Sequence, residues 1–187
     1  MNKRQIVPFL LLLMVFLLWL YLKPEAILPK EPKHQLNYIA YNASNIHFDE
    51  TGKISYKIFS EKTTGFAEKD ITIFENLKLI VYVANEKNSE PTVWQLTSDN
   101  GLLYKQNRLV LSKNVWLENL SQDQLVQTMT TDKLTVLLDK KEINSDRLVT
   151  WQGPQMRQQG VGMWASLVTE ELIVKDKIKA VYLNENK

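Results

Sequence analysis

From residue 53 onward the chain is written in short runs that alternate apolar and polar side chains, with almost no helical period between them. The runs are "KISYKIF" (53–59), "DITIF" (70–74), "LKLIVYV" (77–83), "TVWQL" (92–96), "RLVLS" (108–112), "VWLEN" (115–119), "KLTVLL" (133–138), "RLVTW" (147–151) and "KIKAVYL" (177–183). β-Branched and aromatic residues dominate them, and Gly, Asn, Asp and Lys punctuate them, which predicts an all-β domain. Alternation turns Ile54, Tyr56, Ile58, Phe74, Leu77, Leu79, Val81, Trp94, Leu96, Leu109, Leu111, Val136, Leu138, Leu148, Val181 and Leu183 mostly inward. Periodicity does not separate a filled core from the wall of an apolar groove.

A weak repeat runs through the same region. Four segments open with a hydroxyl residue beside an acid: Ser60-Glu61, Ser98-Asp99, Thr131-Asp132 and Thr169-Glu170. The acids lie 38, 33 and 38 residues apart, and each is followed by a strand, a polar turn and another strand. A meander of hairpins produces such spacing; so does a layered β structure whose layers stack along one axis. The segment 153–163, "GPQMRQQGVGM", reads differently, as a glycine-punctuated, glutamine-rich spacer after a strand at 148–151.

Residues 6–22, "IVPFLLLLMVFLLWLYL", carry no formal charge. At about 1.5 Å per residue a helix there would be at the short end for a bilayer. A cleaved signal peptide would need small residues at its cleavage site, but Leu22-Lys23-Pro24-Glu25 follows instead. A buried soluble helix would need a larger protein around it. The reading that fits is a single-pass membrane anchor, with Lys3 and Arg4 cytoplasmic and Trp19 and Tyr21 at the far interface. The expected organisation is a cytoplasmic start at 1–5, an anchor at 6–22, a proline-bearing tether at 23–36 (Pro24, Pro29, Pro32) and a β domain outside the cytoplasmic membrane at 37–187.

Several function classes are excluded or disfavoured. The chain has no cysteine, so disulfides and thiolate chemistry are absent, and its two histidines, His34 and His47, make a histidine metal cluster unlikely to assemble. The net charge of +2 lies within residues 1–32, where four bases face two acids. A neutral domain lacks the basic footprint that nucleic acid requires. There is no phosphate loop, no GxGxxG after a strand, no HExxH and no nucleophile elbow. No metal and no cofactor is expected.

The anchor, the opening "TGKISYKIFSEK", the run "TTDKLTV…INSDRLVTWQG" and the closing "GVGM…L…ELIVKDKIKAVY" together resemble the LptC family of periplasmic lipopolysaccharide-export proteins. The similarity covers essentially the whole chain and is strongest over 128–183. It implies an open, twisted antiparallel β-jellyroll whose apolar interior receives the acyl chains of lipopolysaccharide. It also implies two protein partners: an inner-membrane ABC transporter complex (two membrane subunits with a cytoplasmic ATPase dimer), and a periplasmic bridge protein of the same fold that pairs with the C-terminal end. No catalytic residue is implied.

Carried onto this sequence, the resemblance makes Phe74 and Tyr182 lipid-facing, with Asn45 and Glu170 beside them; Leu79, Trp94, Leu111, Val136 and Leu148 join them by alternation. Gly153, Gly160 and Gly162 carry the family's glycine pattern near the docking end, and Lys177, Val181 and Leu183 belong to the last strand, whose edge would meet the bridge protein. Ala165 stands where the family has a further glycine. Two other classes stay open at this point: an anchored adaptor with no lipid groove, and an anchored enzyme acting on envelope polysaccharide. The enzyme would need two convergent carboxylates in a cleft.

Overall fold

A computed structural model describes residues 13–14, 16–18, 37–85 and 90–182. The tether at 23–36, Leu183 and all but five helical residues of the expected anchor lie outside the described residues, and among those described no helix is long and apolar enough to cross a membrane.

Residues 38–182 form nine strands: β1 (Tyr38–Phe48), β2 (Ile54–Phe66), β3 (Ile71–Val83), β4 (Thr92–Tyr104), β5 (Arg108–Asn119), β6 (Thr128–Leu137), β7 (Glu142–Gln152), β8 (Met156–Ser166) and β9 (Glu171–Tyr182). They pair antiparallel in sequence order, β1 to β9, and the sheet does not close. This is the expected open all-β architecture, of jellyroll-like form. Two expected boundaries are corrected. Runs 70–74 and 77–83 are one strand, β3, and runs 108–112 and 115–119 are one strand, β5. The supposed spacer after Gly153 is the full strand β8.

The runs looked shorter than the strands because the strands break their alternation midway. Hydrogen-bonded pairing skips Glu61 opposite Asn76, Asn76 opposite Asp99, and then in turn Lys113-Asn114, Asp132, Asp146-Arg147 and Gly162. These gaps lie side by side across the sheet. Asn42, Asn76, Lys113, Asn114 and Lys177 along this line have φ between 49° and 65°, and Gly162 has φ 70°. Such left-handed residues and bulges bend a strand and sharpen its twist. A line of them creases the sheet, which then folds over on its own apolar face.

The hydroxyl-acid repeat marks this crease. Ser60, Ser98, Thr131 and Ser145 are buried on its inner side, while Glu61, Asp132 and Asp146 are exposed on the outer side. Inside, Ser60 Oγ bonds Thr63 Oγ1 at 2.6 Å, Ser98 Oγ donates to Asn100 O at 3.0 Å, Thr131 Oγ1 donates to Leu148 O at 2.9 Å and Ser145 Oγ donates to Lys133 O at 2.8 Å. Three of these hydroxyls thus donate to backbone carbonyls beside the bend, and Ser60 pairs with a second hydroxyl, so each buried polar group keeps a partner. Outside, Asn76 donates to Glu61 and Asn114 Nδ2 donates to Asp99 at 2.8 Å. The fourth member differs from the sequence reading. Glu170 sits in the β8–β9 turn with φ 59°, and Ser145-Asp146 holds the crease position instead.

Within the fold, Leu79, Leu96, Leu109, Leu111 and Val149 are fully buried in one apolar cluster with Leu77, Leu117, Leu134, Val136 and Ile143. Leu148 corrects the alternation reading, because it is 53% exposed. The run Arg147–Trp151 offers two apolar parities, and the one holding both Val149 and Trp151 faces in.

Candidate functional site: a trough in two compartments

The folded face encloses two cavities and a solid centre. The first, about 500 Å³, opens beside β1, β2 and β3, with Tyr38, Ala40, Asn45, Tyr56, Ile58 and Phe74 among its walls. β1 was not anticipated: its inward positions are small or polar, so it carries little apolar alternation. It is an edge strand, and Tyr41, Ile46 and Phe48 on it are exposed. His47 stacks on Tyr56 with ring centroids 4.6 Å apart, and burial pushes the Tyr56 hydroxyl above its ordinary pKa.

The second cavity, about 350 Å³, lies among Trp94, Leu117, Met129, Ile143, Ala165 and Leu167. Its outer wall is the β5–β6 connection, residues 120–127, which supplies Asp123, Gln124, Leu125 and Val126. Asp123 accepts hydrogen bonds from Thr92 Oγ1, from Asn119 Nδ2 at 3.0 Å and from Asn85 Nδ2 at 3.1 Å. Partial burial opposes its ionisation, but these donors outweigh it and hold the carboxyl below the usual carboxylate range. Gln124 Nε2 donates to Glu170 Oε1 at 2.9 Å, and Gln127 N donates to Gln152 O at 2.8 Å.

Between the two cavities the interior is filled. Of the sequence-derived lipid set, Phe74 lines the first cavity and Trp94 the second, each 6% exposed. Leu79, Leu111 and Val136 belong to the solid centre, and Leu148 faces out. Asn45 lines the first cavity and Glu170 the second, so the fold divides this set between two places. Tyr182 ends β9, paired with Met156. A clasp holds distant strands together: Lys141 Nζ, in the β6–β7 turn, donates to Tyr82 O at the end of β3 at 2.6 Å. Burial lowers the Lys141 pKa, against the opposing charge of Asp49.

The glycines have separate duties. Gly162 is the crease residue of β8. A Cβ on Gly160 would lie 2.4 Å from Val174 Cγ1 and 3.2 Å from Asp176 O, so a side chain there would have to push Val174 aside. A Cβ on Gly153 would lie 2.2 Å from Leu125 O, so Gly153 seats the 120–127 connection. Lys177 lies at the crease of β9, and Val181 beyond it is 60% exposed on the sheet's last strand.

Chemically the arrangement is a container. Among the described residues no group of three or more His, Asp or Glu side chains could hold a metal ion. Three acidic residues line the second cavity, but each is occupied by a donor: Asp123 by Thr92, Asn119 and Asn85, Glu170 by Gln124, and Glu171 by Thr169.

Comparison with known proteins places the chain among relatives of one family. Residues 8–183 match the family model described as lipopolysaccharide-assembly, LptC-related. The lipopolysaccharide export system protein LptC of Haemophilus influenzae is 26% identical over 159 residues, covering 78% of this chain and 76% of the relative. Its namesake from Escherichia coli K12 is 22% identical over 150 residues, covering 80% and 76%.

Proposed function

The chain belongs to the LptC-related lipopolysaccharide-assembly family, and on that premise we propose that it carries lipopolysaccharide from the inner membrane towards a periplasmic bridge protein, sheltering acyl chains in its folded sheet. Members of this family are transport components and not enzymes. In this reading residues 6–22 anchor the chain in the inner membrane, and the β domain lies in the periplasm. An ABC transporter complex of two membrane subunits and a cytoplasmic ATPase dimer delivers the lipid and supplies the energy. The lipid enters at the first cavity, beside Phe74. The β9 edge, with Lys177 and Val181, receives a strand of the bridge protein by β-augmentation, which turns an exposed edge from a hazard into a docking surface.

The observation that supports this best is the unclosed sheet, with an edge strand at each end that is unpaired among the described residues and a cavity of about 500 Å³ beside one of them. A lipid with several acyl chains cannot cross water uncovered, since each exposed methylene costs about 0.8 kcal/mol. The solid centre favours a second reading, an anchored adaptor that binds proteins alone. Ala40→Phe, which fills the first cavity from β1 without adding charge, separates the two. In the full chain held in phospholipid nanodiscs, it should weaken lipopolysaccharide binding while leaving bridge-protein docking intact. Unchanged lipid binding, or none in the parent chain, would leave the adaptor.

A further inference from the structure

We propose that the 120–127 connection is a gate: closed, it seals the second cavity, and open, it lets an acyl chain extend there from the first. The proposal rests on the lipid-transport reading and adds its regulation. Four observations carry it.

The connection is the outer wall of a compartment lined elsewhere mostly by apolar side chains, with Ser166, Glu170 and Glu171 on its β8–β9 side, and at about 350 Å³ it is within the size range of ligand pockets. It is fastened at its middle by side-chain hydrogen bonds rather than by buried apolar side chains. Asp123 ties it to Asn85 and Thr92, where β3 ends and β4 begins, and Gln124 ties it to Glu170 in the β8–β9 turn. Leu120 and Leu125 point out to solvent, Leu125 with 79% of its surface exposed, and only Val126 packs on the core. Segments with few buried apolar contacts and solvent-accessible hydrogen bonds open at the least free-energy cost.

The seat beneath the connection is shaped for it. Leu125 O rests against Gly153 so closely that no side chain fits between them. Trp94 lines the compartment, and its indole N–H is buried with no hydrogen-bond partner among the described residues. A buried donor left unpaired calls for an explanation, and a ligand acceptor supplies one. The acceptor that suits an apolar compartment is the ester or amide carbonyl, or the hydroxyl, of an acylated glycolipid.

The test uses the absence of cysteine from the chain. Gln124→Cys/Glu170→Cys supplies the only thiol pair, and a short reductant-cleavable bifunctional reagent locks the gate shut. The full chain in phospholipid nanodiscs is titrated with purified lipopolysaccharide, and two signals are read: lipid photocrosslinking from Phe74, and the Trp94 indole N–H resonance, assigned with Trp94→Phe. The expected result is a Phe74 adduct in both states but a shift of the Trp94 resonance only after the lock is cleaved. A lock that lowers the open fraction tenfold should weaken the Trp94 response about tenfold. Equal Trp94 shifts with and without the lock, or none in either while Phe74 still crosslinks, would overturn the gate alone. No Phe74 adduct in either state would overturn the transport reading and the gate with it.

Discussion

Thr131→Val is the sharpest test of the crease. Thr131 is buried, and its Oγ1 donates to Leu148 O at 2.9 Å, where the β6–β7 ladder is interrupted between Thr131 and Thr135. Valine keeps the volume and the β-branched shape but removes the donor. The Leu148 carbonyl then loses its partner on the β6 side, and because the bond is only partly buried and Leu148 is exposed, the loss costs about 1 kcal/mol, the low end for an unpaired acceptor. At that cost the midpoint of thermal unfolding should fall by roughly 2–4 °C, at about 2–4 °C per kcal/mol for a chain of this size. The neighbouring change Thr130→Val, on the exposed face of the same strand, is the control and should move the midpoint by less than about 2 °C, since it touches none of these groups. Scanning calorimetry of both variants and the parent gives the comparison. Equal, small shifts would refute the claim that hydroxyls satisfy backbone carbonyls at the bend.

Two further outcomes follow from the same geometry. Leu111→Ala, in the solid centre, should cost about 2–5 kcal/mol in denaturant unfolding; a cost under about 1 kcal/mol would mean that the centre is an open groove and not a packed core. The Asp123 carboxyl, followed by carbon NMR, should titrate below its ordinary value of 3.8 because Thr92, Asn119 and Asn85 hold its charged form. With the folded value depressed, its contribution to closing the 120–127 connection is complete above pH 3.8 and is lost as the pH falls through the lower value. A midpoint at or above 3.8 would contradict the latch.

The strand-rich class and much of the inward face were legible because alternation is strict within each half-strand. Leu79, Leu96, Leu111 and Val136 are buried as expected. Whole strands were not legible, because the inward parity changes at the crease. In β3, Phe74 is buried on one side and Leu77, Leu79 and Val81 on the other, so a single strand reads as two. β8 escaped notice because Gly160 takes an inward position where an apolar side chain would have signalled a strand, and Gly162 sits at the crease. The hydroxyl-acid pairs were visible as a repeat, yet only three-dimensional register shows that Ser145-Asp146 belongs with them and Thr169-Glu170 does not. The division of the trough was hidden for a different reason. Core residues and cavity walls share the same parity, and only the space between them tells Phe74 from Leu79.

The central claim is that acyl chains travel inside the fold, and adjacent positions on opposite faces of β3 test it most directly. A photoreactive residue at Phe74 faces the first cavity, whereas one at Ile73 lies on the exposed face. In cells carrying the full transport complex, the account predicts a lipopolysaccharide adduct at Phe74 that grows with ATP supply and none above background at Ile73. Equal adducts at both positions, or protein adducts alone at Phe74, would contradict it.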